Sequence, residues 1–220
     1  MEIILLGAQA SGKGTQAEML TQMLGIPHVS SGDLFREEIE KRTAIGLKVQ
    51  AYLNSGALVP DDLTVAMILR RLQQPDCQPG VLMDGFPRTL AQAKALDDGM
   101  CAHGKQINVV IYLNVPREKL FQRISGRFIC KAHQHVYNIY SHPPKVPGIC
   151  DLDRSELFQR SDDMGDAVQY RLDTFFNQTL HLMDYYGKQG KVLEVNGDQT
   201  IERVHQIIVD AVCKQPLMMM

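Results

Sequence analysis

The stretch EIILLGAQASGKGT, residues 2–15, decides the fold. Ile3 to Leu6 form a short apolar run that reads as a buried strand. The chain then passes through Gly7 and Gly12 to Lys13, Gly14 and Thr15, and opens a helix. Glycines let the backbone turn tightly and aim N–H groups at phosphate oxygens, and the helix N-terminus adds a positive dipole end. Lys13 supplies a mobile charge, and Thr15 a hydroxyl near phosphate and magnesium. Gly14 stands where the strict P-loop pattern has Ser or Thr. The bland alternative is a glycine-rich turn without a ligand. The strand before it and the helix after it weigh against that.

Working outward, KGTQAEMLTQMLG puts Ala17, Leu20 and Leu24 on one helical stripe, widened by Met23 and ended by Gly25. IPHVS is a second strand, with a helix from Asp33, and Pro60–Asp61 suits the first turn of another. VLMDGF, INVVIYLNV and KVLEVNG read as further strands. LAQAKALDDG, the segment from Pro116 to Ser125, a long stretch from Asp163 to Tyr186, and TIERVHQIIVDAVC read as helices. The terminal LMMM reads as a frayed tail. Between them, 127–163 is rich in His, Pro, Gly and Asp and has no long helical period, as an inserted lobe would. Strands alternating with helices imply an α/β fold: a P-loop three-layer α/β/α core around a five-stranded parallel sheet. Ligands in such folds sit beyond the carboxyl ends of the strands.

Composition narrows the function. The 220 residues are 45% hydrophobic and 22% charged, which suits a globular chain with one substantial core. A net charge of -2 argues against a general nucleic-acid binder. No apolar stretch is long enough to span a membrane. Ala8 to Ala10 imitates a signal-cleavage pattern, but the apolar run is short and Glu2 stands where a signal carries Lys or Arg. Five cysteines, an odd number, fit free thiols in a reducing cytoplasm; Cys77, Cys101 and Cys213 read as structural or incidental.

The spacing of GAQASGKGT resembles the adenylate kinase family, whose loop reads G-x-P-G-x-G-K-G-T. Gln9 replaces its Pro and Ala10 its second Gly; Ala10 serves if its backbone angle is right-handed. The resemblance covers essentially the whole chain. VSSGDLFR matches the acceptor-pocket motif and implies roles for Ser31 and Arg36. GALVPDDLT implies that the backbone of Ala57 to Val59 touches AMP. DGFPRT implies that Asp84 orders the magnesium water shell and Arg88 holds the AMP phosphate, with Gly85 and Gln92 helping to read adenine. Without the family, each has a plainer reading. Asp84 suits a helix cap or turn, Arg88 the surface, Arg36 a mate for nearby acids, Gln92 a solvated helix face, and Ser31 the cap of the helix after it.

Arg123, Arg127, Arg160 and Arg171 match the family's arginines around the transferring phosphoryl group, and Asp162 and Asp163 its pair that orients a lid arginine. Arginine offers rigid paired donors to phosphate oxygens. The resemblance further implies that the ATP adenine lies by Arg123 and the backbone near Gln199, with Tyr137 on the lid's nucleotide-facing strand or in lid packing. The implied reaction is Mg-ATP plus AMP to two ADP, in a cytoplasmic monomer with no nucleic-acid or membrane partner. The implied division is core 1–29, AMP lobe 30–59, core 60–126, lid 127–163 and core 164–220. A GTP:AMP phosphotransferase is the nearest rival. A switch GTPase would carry an N-K-x-D motif, which the chain lacks. A zinc-ribbon nucleic-acid module would need a basic stripe where DLDRSE and SDDMGD stand.

CKAH at 130–133 is answered by CDLD at 150–153. Cys130, His133, Cys150 and Asp153 can make a tetrahedral structural zinc site, with iron or cobalt also accepted by thiolate-rich sets. His135 and His142 are spare imidazoles, and His135 competes with His133. The alternative is a polar network with two unmetallated thiols. The family uses both solutions, and a lobe this small has little core of its own.

Overall fold

A computed structural model describes residues 1–213; the LMMM tail lies outside them. In chain order the elements are β1 (Glu2–Leu6), α1 (Lys13–Leu24), β2 (His28–Ser30), α2 (Ser31–Glu40), α3 (Ala44–Ser55), α4 (Asp61–Leu72) and β3 (Val81–Asp84). Then follow α5 (Leu90–Cys101), β4 (Val109–Asn114), α6 (Arg117–Ser125), β5 (Arg127–Cys130), β6 (Val136–Asn138) and β7 (Leu157–Phe158). The chain closes with α7 (Asp166–Asn177), α8 (Leu182–Gly187), β8 (Val192–Asn196) and α9 (Ile201–Cys213). No helix among the described residues is long and apolar enough to cross a membrane.

The central sheet has the order β2-β3-β1-β4-β8, with every pairing parallel. Alternation along β1 feeds both layers. Ile4 and Leu6 join the core under α4 to α8, while Ile3 and Leu5 join the core under α1 and α9. The chain winds to one side of β1 through β2 and β3 and to the other through β4 and β8. The carboxyl end of β1 is therefore the topological switch point, where ligands bind in such sheets. The loop 7–12 leaves from that end, and Asp84 ends β3 beside Leu5 in register.

Two small units stand outside the sheet. Helices α2 and α3 enclose Phe35, Val49 and Val59. They approach so closely that a Cβ on Gly46 would sit 2.1 Å from the Glu38 carbonyl oxygen. Strands β6, β5 and β7 form an antiparallel sheet over a core of Cys130, Tyr137, Cys150 and Leu157.

Several local expectations need correction. Met23 is 44% exposed, and Gln16 takes the buried place in α1. Gln16 Nε2 donates to the Ile201 carbonyl, a bond between α1 and α9 that apolar periodicity cannot reveal. Ser30, not Ser31, caps α2 by accepting from the Asp33 N–H. Helix α3 escapes the sequence reading because its apolar residues spread over several faces: Val49 is buried while Leu47 and Tyr52 are exposed. The long helix over 163–186 is broken. Asp163 ends a short 3-10 turn, Gly165 (φ 57) precedes α7, and Gln178 (φ -123, ψ -55) leaves helical geometry before α8. At that break Thr179 Oγ1 donates to the Arg88 carbonyl, which ties the helix pair to the loop after β3.

The phosphate loop carries the sharpest departure. Ala10 has φ 60, in the left-handed region, not the right-handed angle that would have made its methyl harmless. Left-handed backbone costs an L-residue roughly 1–2 kcal/mol. Packing of the Ala10 side chain against the core offsets part of that. Ala10→Gly is predicted to raise stability by up to about 1 kcal/mol after the extra unfolded-state entropy of glycine. Denaturant unfolding measures it, and a lower midpoint at unchanged slope contradicts it.

Candidate active site and lid cluster

The loop between β1 and α1 wraps around Lys13. Gly7 (φ 154) and Gly12 (φ 99) hold angles that a side chain would strain, and a Cβ on Gly7 would strike Ser11 Oγ at 2.5 Å. No side chain caps the N-terminus of α1, so its first N–H groups face the loop concavity. Lys13 Nζ donates to the Gly7 and Ala8 carbonyls, both at 2.8 Å. Burial and the nearby Arg88, Arg127 and Arg171 charges, only partly countered by Asp84, lower its pKa to about 8.

Asp84 is the acidic counterpart. Burial pushes its carboxyl up, but His28, Lys13 and Arg88 outweigh that and hold its pKa below the usual value. It is thus ionised near neutral pH at the mouth of the phosphate loop, as a carboxylate must be to order a cation's water shell. His28 lies behind it, with Nε2 at 3.6 Å from Asp84 Oδ2, and its pKa is raised: burial lowers it, but Asp84 prevails. Position 28 drew no functional expectation, since a lone histidine in a short strand carries no signal.

Beside this lies a pocket lined by Ser31, Arg36, Ala57, Val59, Gly85, Arg88, Gln92 and Arg171, all expected at the AMP site; Arg160, expected there too, is not in its wall. Gly32, Phe35, Leu53, Gly56, Leu58, Thr64 and Asp162 supply the rest of its wall. Phe35 and Leu53 carry no sequence signal for the pocket, because apolar wall positions look like core. Ser31 Oγ donates to the Gly85 carbonyl at 2.7 Å, joining the ends of β2 and β3. Arg88 Nε donates to the same carbonyl at 2.7 Å. Burial and Arg171 lower the Arg88 pKa to about 10, so it stays charged at neutral pH.

The remaining arginines converge from the lid side. Asp163, with a fully buried side chain, accepts from Arg127 Nε at 2.8 Å and from Arg171 Nη1 at 3.1 Å. Asp162 pairs with Arg171 at 2.8 Å. These acids therefore orient two arginines from different elements. Burial, with Arg36 and Arg127, lowers the Arg160 pKa to about 10. Arg160 Nε is buried with no hydrogen-bond partner. Arg123 is held farther out by the Gly197 carbonyl and Asp198. Gln199 is exposed and bonds the Asn196 carbonyl.

Tyr137 does not face the cleft. It is 3% exposed; its hydroxyl accepts from the Asp151 N–H at 2.8 Å and lies 3.4 Å from Cys150 Sγ. Of the two roles open to it, the structure gives lid packing.

The lid pairs fold as two matching turns. The Gln134 N–H donates to the Cys130 carbonyl and the Arg154 N–H to the Cys150 carbonyl, both at 3.0 Å. Both donor residues have positive φ. Cys130, His135, Cys150 and Asp153 offer ligand atoms that all lie within 4.8 Å of one another. This group holds His135 at the place sequence spacing gave to His133. His135 Nδ1 is 3.3 Å from Cys150 Sγ and 3.4 Å from Asp153 Oδ2. His133 lies outside the group, its side chain 67% exposed, with Nδ1 hydrogen-bonded to Asp153 at 2.8 Å. The two-residue spacing favoured His133, but His135 adjoins β6 and turns inward. Cys130 Sγ also lies 3.0 Å from Asp153 Oδ2 and 2.9 Å from Ser155 Oγ, so the four groups form a hydrogen-bonded polar set whose spacings bracket the roughly 3.3–3.8 Å between tetrahedral zinc ligands.

A family model described as adenylate kinase matches residues 5–191. Adenylate kinase of Carboxydothermus hydrogenoformans is 43% identical over 97% of this chain and 100% of its own length. That of Moorella thermoacetica is 44% identical over 93% of this chain and 94% of its own. That of Bacillus subtilis is 42% identical over 96% and 97%. The phosphate loop, the acceptor pocket and near-complete coverage at this identity converge: the chain belongs to the adenylate kinase family.

Proposed function

We propose that the protein transfers the terminal phosphoryl group of Mg-ATP to AMP, reversibly, giving two ADP. One observation carries this reading. Lys13, Arg88, Arg127, Arg160 and Arg171 converge between a phosphate loop and a separate pocket lined by Ser31, Gly85 and Gln92. So many buried cations fit two phosphate chains meeting end to end.

The residues then divide the work. The loop amides, Gly12, Gly14 and Lys13 bind the ATP phosphates, and Arg123 and the backbone near Gln199 border its adenine. Ser31, Arg36, Ala57, Val59, Gly85 and Gln92 hold AMP. Arg88 turns an AMP phosphate oxygen towards the γ-phosphorus. That oxygen forms the new P–O bond as the bond to the β-phosphate oxygen breaks, so no side-chain nucleophile is needed. Lys13, Arg127, Arg160 and Arg171 stabilise charge on the moving group. Asp84, through water, and the Thr15 hydroxyl would hold magnesium, which supplies further charge neutralisation when bound. The segments 30–59 and 127–163 close over AMP and ATP and exclude water. No observation favours GTP as donor.

In the lid, Cys130, His135, Cys150 and Asp153 form a structural zinc clip, with iron or cobalt as less fitting occupants. Four protein ligands leave no open position, so the metal's part is to hold the lid together.

Two measurements test these readings. The purified chain should form ADP from Mg-ATP and AMP, and Lys13→Met should lower kcat by about 10²–10³-fold. Failure to form ADP, with another monophosphate accepted, overturns the assignment. Elemental analysis of chelator-free protein should find about one zinc per chain, lost in His135→Ala and kept in His133→Ala. The reverse pattern restores His133 as the ligand, and no stoichiometric metal removes the clip.

A further inference from the structure

Asp61 opens α4 and is not part of the pocket wall. Its Oδ1 accepts from Gln92 Nε2 at 2.6 Å, and its Oδ2 from Thr89 Oγ1 at 2.8 Å. The Gln92 amide is held from its other end too, where Oε1 accepts from the Arg88 backbone N–H at 2.7 Å. Gln92 is 2% exposed and lines the acceptor pocket.

The chemistry of these partners forces one orientation. A backbone N–H only donates, and a carboxylate only accepts. Arg88 therefore requires the amide oxygen, and Asp61 requires the amide nitrogen. Turning the amide over would set N–H against N–H and oxygen against carboxylate. What remains free is the second Nε2 hydrogen and the second Oε1 lone pair, in fixed order. The adenine edge, with an acceptor N1 beside a donor 6-amino group, complements such a pair. Hypoxanthine presents a donor N1–H beside an acceptor O6, the reverse order.

We propose that Asp61 is a specificity-determining positioning residue. It locks Gln92 in the orientation that takes a 6-amino purine monophosphate over a 6-oxo one. Thr89 steadies the other carboxylate oxygen, while its own hydroxyl oxygen accepts from the Gln92 N–H at 3.1 Å. This inference rests on the AMP-site reading above and deepens it.

The test uses the full chain with Asp61→Ala, Asp61→Ser and Asp61→Asn. Steady-state rates are taken with AMP and with inosine monophosphate as acceptors, and thermal melts are run alongside. Ala and Ser should raise the KM for AMP about 10-fold and lower the AMP-over-inosine preference by a similar factor. The KM for ATP should stay within about twofold. Asn should behave as native, because its carbonyl accepts from Gln92 and Thr89 can turn to accept from its amide. Serine suits a first helical turn but is too short to reach Gln92, so it carries the test if Ala folds poorly. Native AMP affinity and base preference in Ala and Ser overturn the proposal. So does a parallel loss of ATP and AMP affinity, a defect that Asn does not rescue, or failure of both short variants to fold. A native chain that forms no ADP from ATP and AMP overturns the active-site reading itself, and the native control shows which has failed.

Discussion

Like charges held together in a buried space are the constraint on which this structure depends. Lys13, Arg88, Arg127, Arg160 and Arg171 repel one another and are largely taken out of water. Such a cluster opposes folding unless anions are built in with it. Asp84 answers Lys13, and Asp162 and Asp163 answer Arg171, with Asp163 reaching Arg127 as well. Each of these acids stands at an element end: Asp84 closes β3, and Asp162 and Asp163 lie in the turn before α7. The sheet order puts Asp84 at the switch point beside Lys13, the turn before α7 brings Asp162 and Asp163 to Arg171 and Arg127, and the acids make the arrangement tolerable.

The two small units meet a different constraint. Neither the α2–α3 pair nor the three-stranded lid encloses many apolar side chains. The first leans on close helix contact at Gly46 and on Ser31 bonding across to Gly85. The second gathers two thiols, an imidazole and a carboxylate where a larger domain would have packed leucines. Units with little core of their own cost less to open locally, which is what the proposed closure over the two nucleotides requires.

Most of the core was legible because its signals are local. EIILL and INVVIYLNV are continuous apolar runs, as strands buried on both faces must be. Gly25 announces the end of α1. The phosphate loop and DGFPRT were legible because phosphate binding fixes residue types at short spacing. What escaped depends on distant partners. Gln16 is buried where it can bond Ile201 across the layer, and the break at Gln178 sits beside the Thr179 bond to the Arg88 carbonyl. His135, not His133, joins the buried thiols because the residue next to β6 turns inward, which ligand spacing cannot show. Ala10 is conditional in the sequence for another reason: a residue name does not reveal a backbone angle.

If the cations are gathered for phosphate and not for stability, removing one should separate the two. The most direct measurement compares Arg88→Met with the native chain for nucleotide-free unfolding and for phosphoryl transfer. Stability should be equal or higher, since a buried charge facing Arg171 is gone, while transfer falls by at least about 10²-fold. A chain clearly less stable yet near-native in rate would contradict the account, because Arg88 would then be a structural residue and the charge cluster would have another cause.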